Sequence, residues 1–127
     1  MVPLLRLYWL NLRANPMNDP KRVALVARKA LKNMTSEWQL TESELVLVVS
    51  DAEGLSQEEL SEELLHRIGL LLGIYSDLVN LFPIPGRVVE FIRKPYPRLH
   101  NHSVLECLCS TNLDDLIQVK QVLGGYS

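Results

Sequence analysis

Three short stretches of this chain have residue types and spacings that could do chemistry. Glu63-Leu64-Leu65-His66 has the Glu-x-x-His spacing by which carboxylate-bridged di-iron bundles hold their metal. Such a centre needs a second copy of the motif and two further glutamates on facing helices, and the sequence holds no second copy. His66 is therefore expected at the surface. His100-Asn101-His102 offers two imidazoles in a loop, but a metal centre needs more ligands at matching distances, so loop polar residues are the expectation. Cys107-Leu108-Cys109 is Cys-x-Cys, not Cys-x-x-Cys. On a helix these two thiols point roughly 200° apart, which suits small packing residues better than a shared ligand. The sequence has no Gly-rich phosphate loop and no serine in a nucleophile-elbow pattern. Nothing here supports an enzyme, a cofactor or a metal site.

The elements that carry these residues read as helix after helix, so the fold class is all-α. Asp19 is placed as an N-cap with Pro20 at the first helical position, and Val23, Ala27, Ala30, Leu31 and Met34 then recur at helical spacing up to about Trp38. Thr41-Glu42-Ser43-Glu44 is a capping box that opens a short apolar helix through Val49. Residues 50–54 read as a turn, and Ser56-Gln57-Glu58-Glu59 as a further capping box, with Ser61 able to cap a fresh start. Leu64, Leu65, Ile68, Leu71, Leu72, Tyr75, Val79 and Phe82 form one stripe at spacings of three and four. That stripe predicts a central buried helix over 62–82. Gly69 and Gly73, one turn apart, predict a close helix crossing. Pro83 and Pro85 end that helix, a short one follows through Ile92, and Lys94-Pro95-Tyr96-Pro97 must be extended. Ser103-Val104-Leu105-Glu106 is another capping box, and Asn112 caps a last helix closed by Gly124-Gly125.

Length and charge narrow the function classes. The 127 residues suffice for one ordinary core without disulfides. Two cysteines are too few for a disulfide scaffold, so a reduced cytoplasmic setting is expected. No run of 18 apolar residues occurs, and no membrane span is expected. The net charge of −2 lacks the basic excess of a dedicated nucleic-acid binder. Its distribution is uneven: residues 1–38 carry seven Lys/Arg and two acids, whereas residues 39–66 carry eight acids and no Lys or Arg. This pattern fits a pair of solvated faces attracting each other within the fold. It also fits a basic part that meets an acidic partner or nucleic acid through Lys21, Arg22, Arg28 and Lys29. Residues 1–16 form an apolar arm interrupted by Arg6 and Arg13, unlike a signal peptide; either Met17 is the true start or the arm packs on a partner subunit.

The second half resembles a known family. Residues Leu64 to Tyr75, Leu-Leu-His-Arg-Ile-Gly-Leu-Leu-Leu-Gly-Ile-Tyr, look like the "LxRIsxLLGIY" helix of Xre/MbcA/ParS-type antitoxins, and Asp77-Leu78 with Leu81-Phe82-Pro83 continues it. Phe91-Ile92-Arg93-Lys94-Pro95-Tyr96, then Leu99 and Ser103, is similar to the family's toxin-binding signature "W(L/V)xxPNxxLxGxSPL". Tyr96 stands at the signature's Asn, Asn101 at its Gly and Val104 at its Pro. Asp115 to Leu123 and Gly124-Gly125-Tyr126 resemble the closing "DLYxVRxYLD…GGW". Leu40 to Val49 resembles the first helix of the family's helix-turn-helix, but residues 50–60, where a recognition helix belongs, are short and acidic and would repel phosphates.

Three parts are expected: the arm 1–16 from its composition, and, from the resemblance, a degenerate helix-turn-helix-like region 17–60 and a helical toxin-binding domain 61–127. The resemblance implies an antitoxin of a type II system whose partner is a RES-domain, NAD-consuming toxin, neutralised by covering its active-site entrance. The implied contacts are Phe91, Arg93, Pro95, Tyr96, Leu99, Ser103, Lys120, Gly124, Gly125, Tyr126 and Ser127. A homodimer is expected, from the family and from the apolar arm. The alternative is a helix-turn-helix-type transcriptional regulator, although the acidic 50–60 segment argues against sequence-specific DNA binding.

Overall fold

The computed structural model describes residues 19–124. The arm of residues 1–16, the Met17 start, and Gly125, Tyr126 and Ser127 lie outside the described residues. Within them the protein is all-α, as expected: α1 Pro20–Trp38, α2 Glu42–Val49, α3 Ala52–Leu55, α4 Glu62–Leu81, α5 Pro85–Arg93, α6 Val104–Leu108 and α7 Leu113–Gly124. A 3-10 turn at Pro97–Leu99 joins α5 to α6.

The helix starts are set by local hydrogen bonds that the sequence announces. Asp19 Oδ1 accepts from the Arg22 amide at 2.8 Å, with Pro20 at the position where a missing N–H costs nothing. Thr41 and Glu44 cap α2 reciprocally at 3.1 and 2.9 Å, and Ser103 and Glu106 do the same for α6 at 3.1 and 3.2 Å. Ser61 Oγ accepts from the Leu64 amide to open α4, and Asn112 Oδ1 from the Asp114 amide to open α7. α1 stops where Gln39 turns left-handed at φ 54°, its amide donating back to Ser36 and Thr35.

α4 is the axis of the core. It buries Leu64, Ile68, Leu71, Leu72, Ile74 and Leu78. α7 packs along it most extensively and contributes Leu116, Val119 and Leu123. α1 lays Ala27, Leu31, Met34 and Trp38 against the assembly of α4 and α5. Each fully buried Leu or Ile contributes about 1.5–3 kcal/mol. One cluster runs from Val23 to Leu123, so the boundary at residues 60 and 61 is a connection inside a shared core. α4 has 20 residues and is apolar enough to span a bilayer by length and composition. Ten of those residues are buried within this fold, so its apolar stripe is already used by its neighbours.

Residues 50–60 depart from the expectation. The segment expected as a turn contains the short helix α3, because Asp51 Oδ1 accepts from the Gly54 amide at 2.9 Å and starts it. Ser56 does not open a helix; it closes α3, its Oγ donating to the Glu53 carbonyl at 2.7 Å. Arg28 on α1 takes the next carbonyls, Nε donating to Leu55 at 2.7 Å and Nη2 to Gln57. The Ser56 and Gln57 amides turn back to the Glu53 and Gly54 carbonyls, three residues before each, and tighten the end of α3. α3 is a single turn, and among the described residues no long recognition helix follows α2.

Candidate partner-binding surface

The described residues of the implied contact surface fall on α5, the connector to α6, and α7. Pro95 and Pro97 hold the residues before them extended, with Lys94 at ψ 143° and Tyr96 at ψ 119°. The chain then folds back sharply. The Asn101 amide donates to the Tyr96 carbonyl at 3.0 Å, and the Tyr96 amide to the His102 carbonyl at 3.1 Å, forming an isolated antiparallel bridge. This tight loop forces two consecutive residues into the left-handed region, His100 at φ 56° and Asn101 at φ 65°. Asn tolerates that region better than most residues with a side chain.

The fold already employs several of these side chains. Phe91 is half-buried between Phe82 and Tyr96, with ring centroids 4.7 and 5.3 Å away. Arg93 is exposed but engaged: it grips both carboxylate oxygens of Glu44, at 2.8 and 3.0 Å, and donates to the Gln39 carbonyl at 3.0 Å. Leu99 and Ser103 are buried, the first in the core and the second as the cap of α6, so they shape the loop from beneath. Lys120 pairs with Asp77 at 2.8 Å and fastens α7 to α4. Pro95 is exposed, Tyr96 is half-buried, and Gly124 ends α7. Gly125, Tyr126 and Ser127 lie outside the described residues.

The exposed part of the surface is a groove of 500 Å³ between the 99–102 loop and α7, lined by Leu99, His100, His102, Glu106, Cys107, Asp115 and Gln118. His102 Nδ1 lies 3.3 Å from Glu106 Oε2, and Ser110 Oγ donates to Asp115 Oδ2 at 2.5 Å. The Ser103 amide and His102 hold the Glu106 carboxyl below the usual range. Burial pushes the Cys107 thiol up, with Asp115 and Glu106 adding to it, which disfavours its thiolate. Cys109 is likewise raised by burial, and both cysteines are free. Both are half-buried and pack against the core. Among the described residues no group of three or more His, Cys, Asp or Glu is placed to hold a metal ion. The groove is suited to polar and hydrogen-bonded contact with another surface.

The candidate nucleic-acid residues are only partly available. Lys21 pairs with Glu58 at 3.5 Å, and Arg28 holds the Leu55 and Gln57 carbonyls. Arg22 and Lys29 are exposed on α1. Of these contacts only the exposed Lys21–Glu58 pair joins a basic side chain of the first part to an acidic one of the middle.

Two further linkages were not expected from the sequence. One is the Glu44–Arg93 pair. The other is Arg67, 5% exposed, which donates from Nε to the Val48 carbonyl at 2.7 Å and from Nη2 to Leu108 and Ser110 at 2.9 and 2.8 Å. A signal for it exists in the sequence: Arg67 lies three residues after Leu64 and four before Leu71, on the buried stripe itself. Compared with family models, curated proteins and solved structures, the chain matches none of them.

Proposed function

We propose that this chain is an antitoxin-like binding protein that docks on a RES-domain, NAD-consuming toxin and covers its active-site entrance. It acts by contact, as a cytoplasmic homodimer, and supplies neither a catalytic group nor a cofactor. The observation that carries the reading is Asn101. It stands at the glycine of the family's signature, and its φ of 65° is the conformation a glycine supplies freely. The substitution therefore keeps the loop geometry that the signature's glycine would serve. The Lys120–Asp77 pair adds support, because it joins two segments of the resemblance, the end of the central helix and the closing helix.

The test is to purify the chain with a RES-domain toxin and follow NAD consumption. The full chain is expected to silence the toxin. Deleting Gly124 to Ser127 should restore consumption with helix content and melting temperature nearly unchanged. Leu72→Asp should instead unfold the domain, because Leu72 is 3% exposed in the core. If the tip deletion still silences the toxin, inhibition comes from the Phe91 to Ser103 surface or from assembly. If the full chain neither binds nor silences it, the reading fails.

Exposed Arg22, Lys29 and Lys32 on α1 favour a second reading, a DNA-binding regulator. It requires a promoter complex that weakens steeply with salt and is lost when these three residues become Ala.

A further inference from the structure

Strongly exposed large apolar side chains are few among the described residues. Leu25, Val46 and Leu47 are three of them, each more than half exposed, and they sit on the consecutive helices α1 and α2. Each lies in a charged setting of opposite sign. Successive helical residues turn by about 100°, so Lys21, Arg22, Leu25, Lys29 and Lys32 share an arc of about 100° with Leu25 near its middle. All five are exposed. Lys21 pairs with Glu58, whereas Arg22, Lys29 and Lys32 form no ion pair among the described residues.

On α2 the same turn gathers Glu42, Ser43, Val46 and Leu47 within about 140°. All four are exposed, while Val48 and Val49 fasten the helix to the core. α3 packs beside α2 and adds the exposed Glu53. Glu42 and Glu53 form no ion pair among the described residues. One face is thus a leucine inside a cationic rim, and the other a valine and a leucine with an acidic rim. An apolar centre with a polar rim is the anatomy of a protein–protein contact. A phosphate backbone would engage the cations of α1 but leave Leu25 in water, and Glu42 and Glu53 would repel it. A second copy of the chain offers each face what it lacks.

We infer that two copies of this chain associate through these faces, with Leu25 of one seated against Val46 and Leu47 of the other. Lys29 and Lys32 then stand opposite Glu42 and Glu53. Both faces belong to one chain, so a two-fold axis makes the contact twice and closes the pair. The inference rests on the homodimer of the proposed function and names its contact, and it needs no toxin.

The experiment is sedimentation velocity on the full chain without toxin. The parent should be a dimer at low salt that weakens as salt rises. Lys29→Glu with Lys32→Glu, and separately Glu42→Lys with Glu53→Lys, should each raise the dimer dissociation constant at least about tenfold. Helix content by circular dichroism should stay at the parent value, because all four sites are exposed. Mixed in equal amounts, the two double variants should recover a dimer, since each then meets the opposite charge at both contacts. Double variants that dimerise like the parent, or a mixture that stays monomeric, overturn the inference and leave the homodimer and the toxin contact standing. A monomeric parent overturns the inference and the homodimer together. Unchanged dimers combined with loss of promoter DNA binding in the Lys29, Lys32 variant assign the α1 face to nucleic acid instead and overturn the inference.

Discussion

Arg93 at the end of α5 holds both carboxylate oxygens of Glu44 in the first turn of α2, at 2.8 and 3.0 Å. Glu44 serves two structures at once, because Oε1 also accepts from the Thr41 amide in the capping box. The Arg93 hydrogen bond, followed by the one from the Thr41 backbone, lowers its pKa from 4.5 to about 2. A depressed carboxylate pKa contributes stability that is present above pH 4.5 and lost as pH falls towards 2. The pair is partly exposed, so its contribution is about 1 kcal/mol or less. Urea titration at pH 7 should show Glu44→Gln less stable than the parent by that amount. The gap should close as pH falls from 4.5 to 2, and a gap constant with pH would contradict the assignment.

Arg67 ties the end of α2 to the carbonyls around the α6–α7 loop. Arg67→Met keeps the stem but leaves three buried or half-buried carbonyls without their donors, at a cost of about 3 kcal/mol. Arg67→Lys should recover only part of that, since an ammonium cannot reproduce the planar fork. Equal stability of the Met variant and the parent in chemical denaturation would show that the carbonyls find other partners.

Asn101 at φ 65° separates backbone from side-chain effects. Asn101→Gly should match the parent melting curve closely, whereas Asn101→Ala should cost about 1 kcal/mol from left-handed strain. A neutral Ala variant would mean that the loop relaxes out of this conformation.

Arg28 and Lys29 are sequence neighbours with different work. Arg28→Ala should lose about 1 kcal/mol because the Leu55 and Gln57 carbonyls lose their donor. Lys29→Ala, at an exposed site, should stay within about 0.5 kcal/mol. Parallel thermal melts of the two single variants decide this, and the reverse order sinks it.

Ser76 Oγ is buried on α4 without a hydrogen-bond partner. Removing an unsatisfied buried hydroxyl relieves its desolvation cost, so Ser76→Ala should be neutral or stabilise by up to about 1 kcal/mol. A clear loss of stability on calorimetry would reveal a bond formed by that hydroxyl in solution.

Local chemistry was legible in the sequence. The caps at Asp19, Thr41, Ser61, Ser103 and Asn112 act within three residues, so the letters specify them; the stripe specifies the buried face of α4 from Leu64 to Leu72, whereas beyond it Ile74 and Leu78 are buried and the stripe's Tyr75, Val79 and Phe82 are only half-buried. That the 99–102 loop and α7 share one cleft was not legible in the sequence. Tertiary structure decided the pairings between residues far apart in the chain. Arg28 reaches Leu55, Arg67 reaches Leu108, Arg93 reaches Glu44 and Lys120 reaches Asp77. A long cationic side chain carries no sequence signal of which distant carbonyl or carboxylate it will meet, because that depends on how the helices cross. The same reason accounts for the 50–60 segment. Its own residues allow a turn or a new helix, and Arg28, delivered by α1, ties the Leu55 and Gln57 carbonyls to another helix.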